Sequence, residues 1–214
     1  MQRIWARLRT PQRGLQRGPA TSSMPGQALQ TAACATAAEA RAARKAGFRS
    51  TAVVGIGVSR GVPAGRIVSF GVAGGLDGLE VGTLIDATRI VAEDGTVLWE
   101  GKGLGLGGAR QGTILAIDRI ADDPGDRARL RAATGADVLD MESGILAATG
   151  RLEGCVRAVS DTPTRPLGPL AEAVGPSGRP RPLGLAKALL REPSATARAL
   201  GDVRRALRRL GEAG

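Results

Sequence analysis

Residues 66–91, RIVSFGVAGGLDGLEVGTLIDATRIV, constrain the fold more than any other part of the chain. Ile67, Val68, Phe70 and Val72 make a short apolar run of the kind buried on both faces of a sheet. Gly71, Gly74 and Gly75 follow, and residues 84–91 are again β-branched and apolar, interrupted by Asp86 and Arg89. The pattern reads strand, glycine turn, strand. Without a Cβ, the glycine backbone can approach a ligand closely. A glycine turn at the end of a buried strand is where open α/β sheets place ligands. A tight hairpin with no ligand satisfies the same pattern.

Similar runs recur along the chain. Residues 29–37 read as a first strand, 50–58 as a second and buried one, 113–120 as a third, and 155–160 as a fourth that ends at Asp161. Residues 137–139 make a shorter strand. Asp94-Gly95 predicts a hairpin turn between two β-rich segments. Helix formers fill residues 38–46, with Gly47 closing them. A second helix starts at Asp123-Pro124-Gly125 and runs to about residue 133, with Arg127, Arg129 and Arg131 solvated. A third covers residues 141–149. Residues 183–190 and 194–210 form two amphipathic helices, the Leu/Ala face of the tail packing back on the sheet. The glycine-rich residues 101–112 lack a GK[ST] ending and read as a mobile surface loop. Gly55, Gly57 and Gly61 are spaced one residue too far for a dinucleotide turn. Alternating strands and helices give the class α/β.

Composition narrows the chemistry. The net charge of +10 is concentrated at the ends: residues 1–37 hold 5 basic and no acidic side chains, and residues 176–214 hold 9 and 3. The body between is near neutral, with 16 basic and 17 acidic residues. Aromatics are scarce, at 2%, which leaves few platforms for stacking bases and argues against nucleic acid as a partner. The basic C-terminal helix is a candidate for peripheral membrane contact, though no aromatic anchors its apolar face. Residues 1–26 read as a basic, disordered extension, and 27–214 as one domain with C-terminal helices at 183–212. Cys34 and Cys155 are far apart and fit small buried residues in a reducing compartment. No apolar run approaches membrane-span length and no signal peptide opens the sequence, so the cytoplasm is the default.

There is no histidine. Ser-His-Asp and Cys-His nucleophile systems and HExxH metal sites are therefore excluded, and no motif calls for a metal or cofactor. Acid/base work falls to carboxylates, lysine or water. Three carboxylates stand out: Glu39 after the first strand, Glu142 after a short strand, and Asp161 at the end of a buried one. Strand-end carboxylates in a glycine-lined cleft are placed for acid/base chemistry. Each is equally placed to cap a helix.

The segments GVAGGLDGLEVGTLIDATRIV, GTILAIDRI, GADVLDMESGILA and VRAVSDTP occur in that order. Together they resemble the nucleoside phosphorylase superfamily, closest to its purine nucleosidase branch, the methylthioadenosine/adenosylhomocysteine nucleosidases. The resemblance covers roughly residues 29–165. VGPSGRPRPLGLAKALLREP is similar to the tail of hopanoid-associated members, which release adenine from an adenosyl-lipid. The resemblance implies a mixed central β-sheet flanked by helices, a homo-oligomer, and cleavage of the N-glycosidic bond of an adenine-type nucleoside. It implies that Asp161 activates the base at N7 and that Ser160 orients it. Glu142 binds the ribose hydroxyls with Met141 against the sugar, Ala73 and Gly74 line base and sugar, and Glu39 positions water. Ile120 stands where the nucleosidases stack a phenylalanine. Ser69 and Val72 stand where phosphorylases hold phosphate with an arginine and a serine, which favours water as nucleophile; Arg60 and Arg110 are the loop cations left to contact phosphate. A phosphorylase and a nucleoside-binding module without turnover remain the alternatives.

Overall fold

The computed structural model describes residues 30–76, 78–173 and 181–213. The predicted extension 1–26 lies outside these residues. Strand β1 (Thr31–Cys34) leads into helix α1 (Ala37–Lys45), which starts at a full capping box: Thr36 caps Glu39 N–H, and the Glu39 carboxyl returns to Thr36 N–H. Gly47, at φ 96°, turns the chain out of α1. Strand β2 (Ser50–Val53) is shorter than expected and only half-buried, because it is the sheet edge. Residues 54–58 leave the strand through a 3-10 turn at Ile56–Val58.

The long strand β3 (Ile67–Gly75) corrects the central sequence reading. Its glycines are not a turn. They lie within the strand, and the chain reverses only beyond Leu76 to enter β4 (Leu84–Val91). Asp94-Gly95 forms the expected hairpin to β5 (Val97–Glu100), paired antiparallel to β4. Strand β6 (Arg110–Ala116) takes in the last glycine-loop residues and ends before Ile120. The rest of that loop is pinned, since the backbone N–H groups of Leu104 and Gly105 donate to buried Asp86 at 2.8–2.9 Å. A Cβ at Gly103 would meet the same carboxylate at 2.9 Å. Helix α2 (Pro124–Thr134) has Asp123 as N-cap and Gly135 as a left-handed terminator. Strand β7 (Val138–Asp140), the short helix α3 (Ser143–Ala147) and strand β8 (Leu152–Asp161) complete the body.

The sheet is mixed, with order β2-β1-β3-β7-β6-β4-β5, and β8 pairs with both β3 and β4. Strands β3, β8, β4, β6 and β7 therefore close into a ring. Closure buries β3 and β8 on both faces, which explains their nearly continuous apolar runs. Helix α4 (Pro182–Arg191) packs on the 3-10 turn at Gly168–Ala173, and α5 (Pro193–Gly211) lays Ala206 and Leu210 against Phe70, Val156 and α1. Helix α5 thus packs back as its periodicity predicts, whereas α4 leaves Leu183 and Leu190 exposed, at 87% and 85%. Arg165 grips Asp202 of α5 through two hydrogen bonds, at 2.7 and 2.9 Å, tying the exit of β8 to that helix. Among the described residues no helix is long and apolar enough to cross a membrane.

Candidate active site

Strand β3 organises the site. Its antiparallel register with β7 sets Gly74 opposite Leu139, so the residues after Leu139 run back towards Val72. Its parallel register with β8 sets Gly74 opposite Asp161. Carboxylates from three distant segments are thereby strung along a few residues of one strand.

Glu39 approaches from α1. One carboxyl oxygen closes the capping box, taking Thr36 N–H at 2.7 Å and the Thr36 hydroxyl at 2.9 Å. The other accepts Val72 N–H at 2.9 Å. The helix-cap role holds for this residue, and its second oxygen is left facing β3. A Cβ at position 71 would fall 2.5 Å from the Glu39 carboxyl, so Gly71 provides the room. Burial raises the Glu39 carboxyl above its ordinary range, against the pull of the Val72 and Thr36 hydrogen bonds.

Glu142 occupies the N-cap position of α3 but does not cap it. Asp140 does that work, accepting Ser143 N–H at 3.2 Å and the Ser143 hydroxyl at 2.6 Å. The Glu142 side chain reaches instead across 85 residues to accept Gly57 N–H at 2.9 Å. Burial, then the neighbouring charge of Asp140, raises its carboxyl to about 8; Glu39 acts in the same sense, and Arg157 opposes them. Arg157, on β8 and 2% exposed, donates to Asp140 at 2.7 Å, to Ser69 Oγ at 2.7 Å and to Val156 O at 2.9 Å.

Asp161 closes β8 and is 3% exposed. The β3–β8 register slips between Ala73 and Gly74, where Val159 and then Asp161 are the partners, leaving Ser160 as the extra residue of a bulge. Bulges re-aim side chains, and here Ser160 Oγ lies 2.6 Å from Asp161 Oδ1 and 3.2 Å from Ala73 O. Arg127 of α2 ion-pairs with Asp161 Oδ2. The same guanidinium donates to Gly75 O at 3.0 Å and to Ala121 O at 2.7 Å.

Arg127 overturns its sequence reading: it is 1% exposed, not solvated. It shares a helix face with Leu130, three residues on and also buried, and that spacing is the signal that finds it. Arg157 carried a plainer signal, a charge inside an apolar strand that must be paired. Ala73 and Gly74 lie buried on β3 beside Asp161, and Met141 is half-buried just before Glu142. Ile120 is 51% exposed on the turn after β6, one residue before the carbonyl that Arg127 binds. Arg110, a candidate phosphate contact, pairs with Asp137 at 3.0 Å.

The two ends of the site are distinct. Glu39, Glu142, Asp140 and Arg157 form one electrostatic group near Val72, and Asp161, Ser160 and Arg127 form another at Gly74. Two strand residues separate them, about 7 Å.

This architecture has solved counterparts. An S-adenosylhomocysteine nucleosidase from Streptococcus pyogenes, in complex with 5-methylthiotubericidin, aligns over 86% of this chain and 98% of its own, with a TM-score of 0.51 and 14% identity. The chain has the nucleosidase fold. A Francisella philomiragia protein designated a 5′-methylthioadenosine/S-adenosylhomocysteine nucleosidase aligns over 86% of this chain and 96% of its own, with a TM-score of 0.52 and 15% identity. No family model and no curated protein matches the sequence. Within the nucleosidase fold, the groups around β3 are this chain's own, and their chemistry rests on their geometry.

Proposed function

We propose that this chain hydrolyses the N-glycosidic bond of a purine nucleoside and releases the free base. The observation that carries the reading is the pairing of Asp161 with Ser160 at one end of the Val72–Gly74 segment and the buried carboxyls of Glu39 and Glu142 at the other. A nucleoside laid along that segment has its base at Asp161 and its sugar at Glu142. The Streptococcus enzyme that shares the fold holds 5-methylthiotubericidin, which fits a site of this class.

The chemistry follows from the groups. The C1′–N9 bond breaks and its electron pair passes to the base. N7 takes up a proton from solvent, relayed at the Asp161 carboxylate, which Ser160 orients. The Glu142 carboxyl binds the ribose hydroxyls, and its ionised form, which grows as pH rises towards about 8, offsets the positive charge developing on the sugar. Water adds at C1′ and its surplus proton passes to Glu39, whose oxygens keep free lone pairs beside Val72 N–H. Solvent then takes the proton from Glu39, which balances the one given to N7. None of these steps needs a histidine.

Water fits better than phosphate as the nucleophile. Arg157 is committed to Asp140, Ser69 and Val156 O, and Arg127 to Asp161, Gly75 O and Ala121 O. Neither buried guanidinium is left to receive an anion, and Val72 offers no charge. The test is chromatography of free base after incubation with adenosine, methylthioadenosine, adenosylhomocysteine and inosine, with and without phosphate. Base release without phosphate, falling by about 10²–10⁴ in Asp161→Asn, is the expected result. Release only with phosphate would move the chain to the phosphorylases.

A further inference from the structure

Arg127 lies outside every motif that pointed to the site, yet it makes the closest charged contact to Asp161. Its guanidinium is anchored to Ala121 O at 2.7 Å, to Gly75 O at 3.0 Å and to Asp161 Oδ2, with Asp122 Oδ1 3.6 Å from the same Nη2. Gly75 belongs to β3 and Ala121 to the turn before α2, so the group bridges sheet, turn and helix. Gly74 adds a second observation. A Cβ there would stand 3.1 Å from Asp161 Oδ2 and 3.3 Å from Arg127 Nη2. The missing side chain lets both members of the pair, and Leu139 at 3.4 Å from the same point, close directly on the β3 backbone. Asp161 ends its strand just past the bulge, still paired opposite Gly74, and Ser160 fixes only one of its oxygens.

We propose that Arg127 is a positioning residue for leaving-group activation, holding the Asp161 carboxyl beside Gly74 in the orientation that meets N7 of the departing base. This rests on the nucleosidase reading above. Arg127 contributes through Asp161, and only while the base needs a proton to leave. It plays no part at the sugar end, where Glu142 and Glu39 work. A planar guanidinium with several fixed donors suits the task, since it can meet two carbonyls and a carboxylate at once, which an ammonium group cannot do in that geometry.

The experiment compares two substrates in the full chain, a purine nucleoside that the wild type cleaves and 4-nitrophenyl riboside, whose leaving group departs without protonation. In Arg127→Met, kcat/KM for the nucleoside is expected to fall by about 100-fold or more, within the range of general-acid effects. Turnover of the nitrophenyl riboside is expected to stay within about threefold, which also reports that the site is folded. Arg127→Lys is the second variant, keeping charge without the fork, and is expected to retain the same substrate split. Guanidinium ion at millimolar concentration is expected to restore part of the nucleoside activity of Arg127→Ala. Equal losses on both substrates in both Met and Lys variants would overturn the assignment and make Arg127 merely structural. Wild type inactive on every nucleoside and on the nitrophenyl riboside would overturn the nucleosidase reading, and the Arg127 role with it.

Discussion

Gly57 N–H holds the Glu142 carboxyl in surroundings where burial and the Asp140 charge raise it to about 8. A carboxyl raised in the folded state binds more protons there than in the unfolded chain. Its stabilising contribution is complete below about 4.5 and is lost as pH rises through about 8. Glu39 shifts in the same direction. The melting temperature is therefore expected to fall as pH rises across that window. Glu142→Gln, which mimics the neutral acid and keeps an acceptor for Gly57 N–H, should flatten the slope. Thermal unfolding between about pH 5 and 9 checks this; an unchanged slope in the variant would place the titration elsewhere. Glu39, Glu142 and Asp161 were legible as candidates because each is an acid at the end of an apolar run. Their partners were not. Gly57 is 85 residues from Glu142, and Arg127 is 34 from Asp161, separations that no local pattern encodes.

Strand β3 shows the same limit at the scale of an element. Gly71 and Gly74 invite a turn in one dimension. In three dimensions they lie within a strand, one closely approached by Glu39 from α1 and one by Asp161 and Arg127. Gly71→Ala would drive a Cβ to 2.5 Å from a carboxyl already tied by Thr36 and Val72, so Glu39 must swing out or the strand must shift. The expected cost is about 1–3 kcal/mol in denaturant unfolding, as for other overpacked sites. Loss of nucleosidase activity should accompany it. The elements whose signals are local came through: the Asp94-Gly95 hairpin, the Asp123 cap of α2, and the α5 stripe. The end of β2 and the pinning of residues 103–106 did not, because an edge position and the distant Asp86 decide them.

Across the whole molecule, α5 covers β8 and α1 and is gripped by Arg165, just beyond Asp161. Leu210 is fully buried in that cover. Leu210→Ala is expected to destabilise by about 2–5 kcal/mol, read by chemical denaturation. The pairing of β3 with both β7 and β8 brings Glu142 and Asp161 to one strand, although β3 and β8 are far apart in sequence. The α/β class was readable from alternating strands and helices; the ring closure was not, since it depends on β8 pairing on both sides. In the proposed reaction water is the nucleophile. Turnover of a purine nucleoside in oxygen-18 water, followed by mass spectrometry of the sugar, tests this most directly. Oxygen-18 at C1′ of the released sugar, with free base formed in equal amount and without phosphate, is the predicted result. A sugar 1-phosphate that carries no label would contradict it.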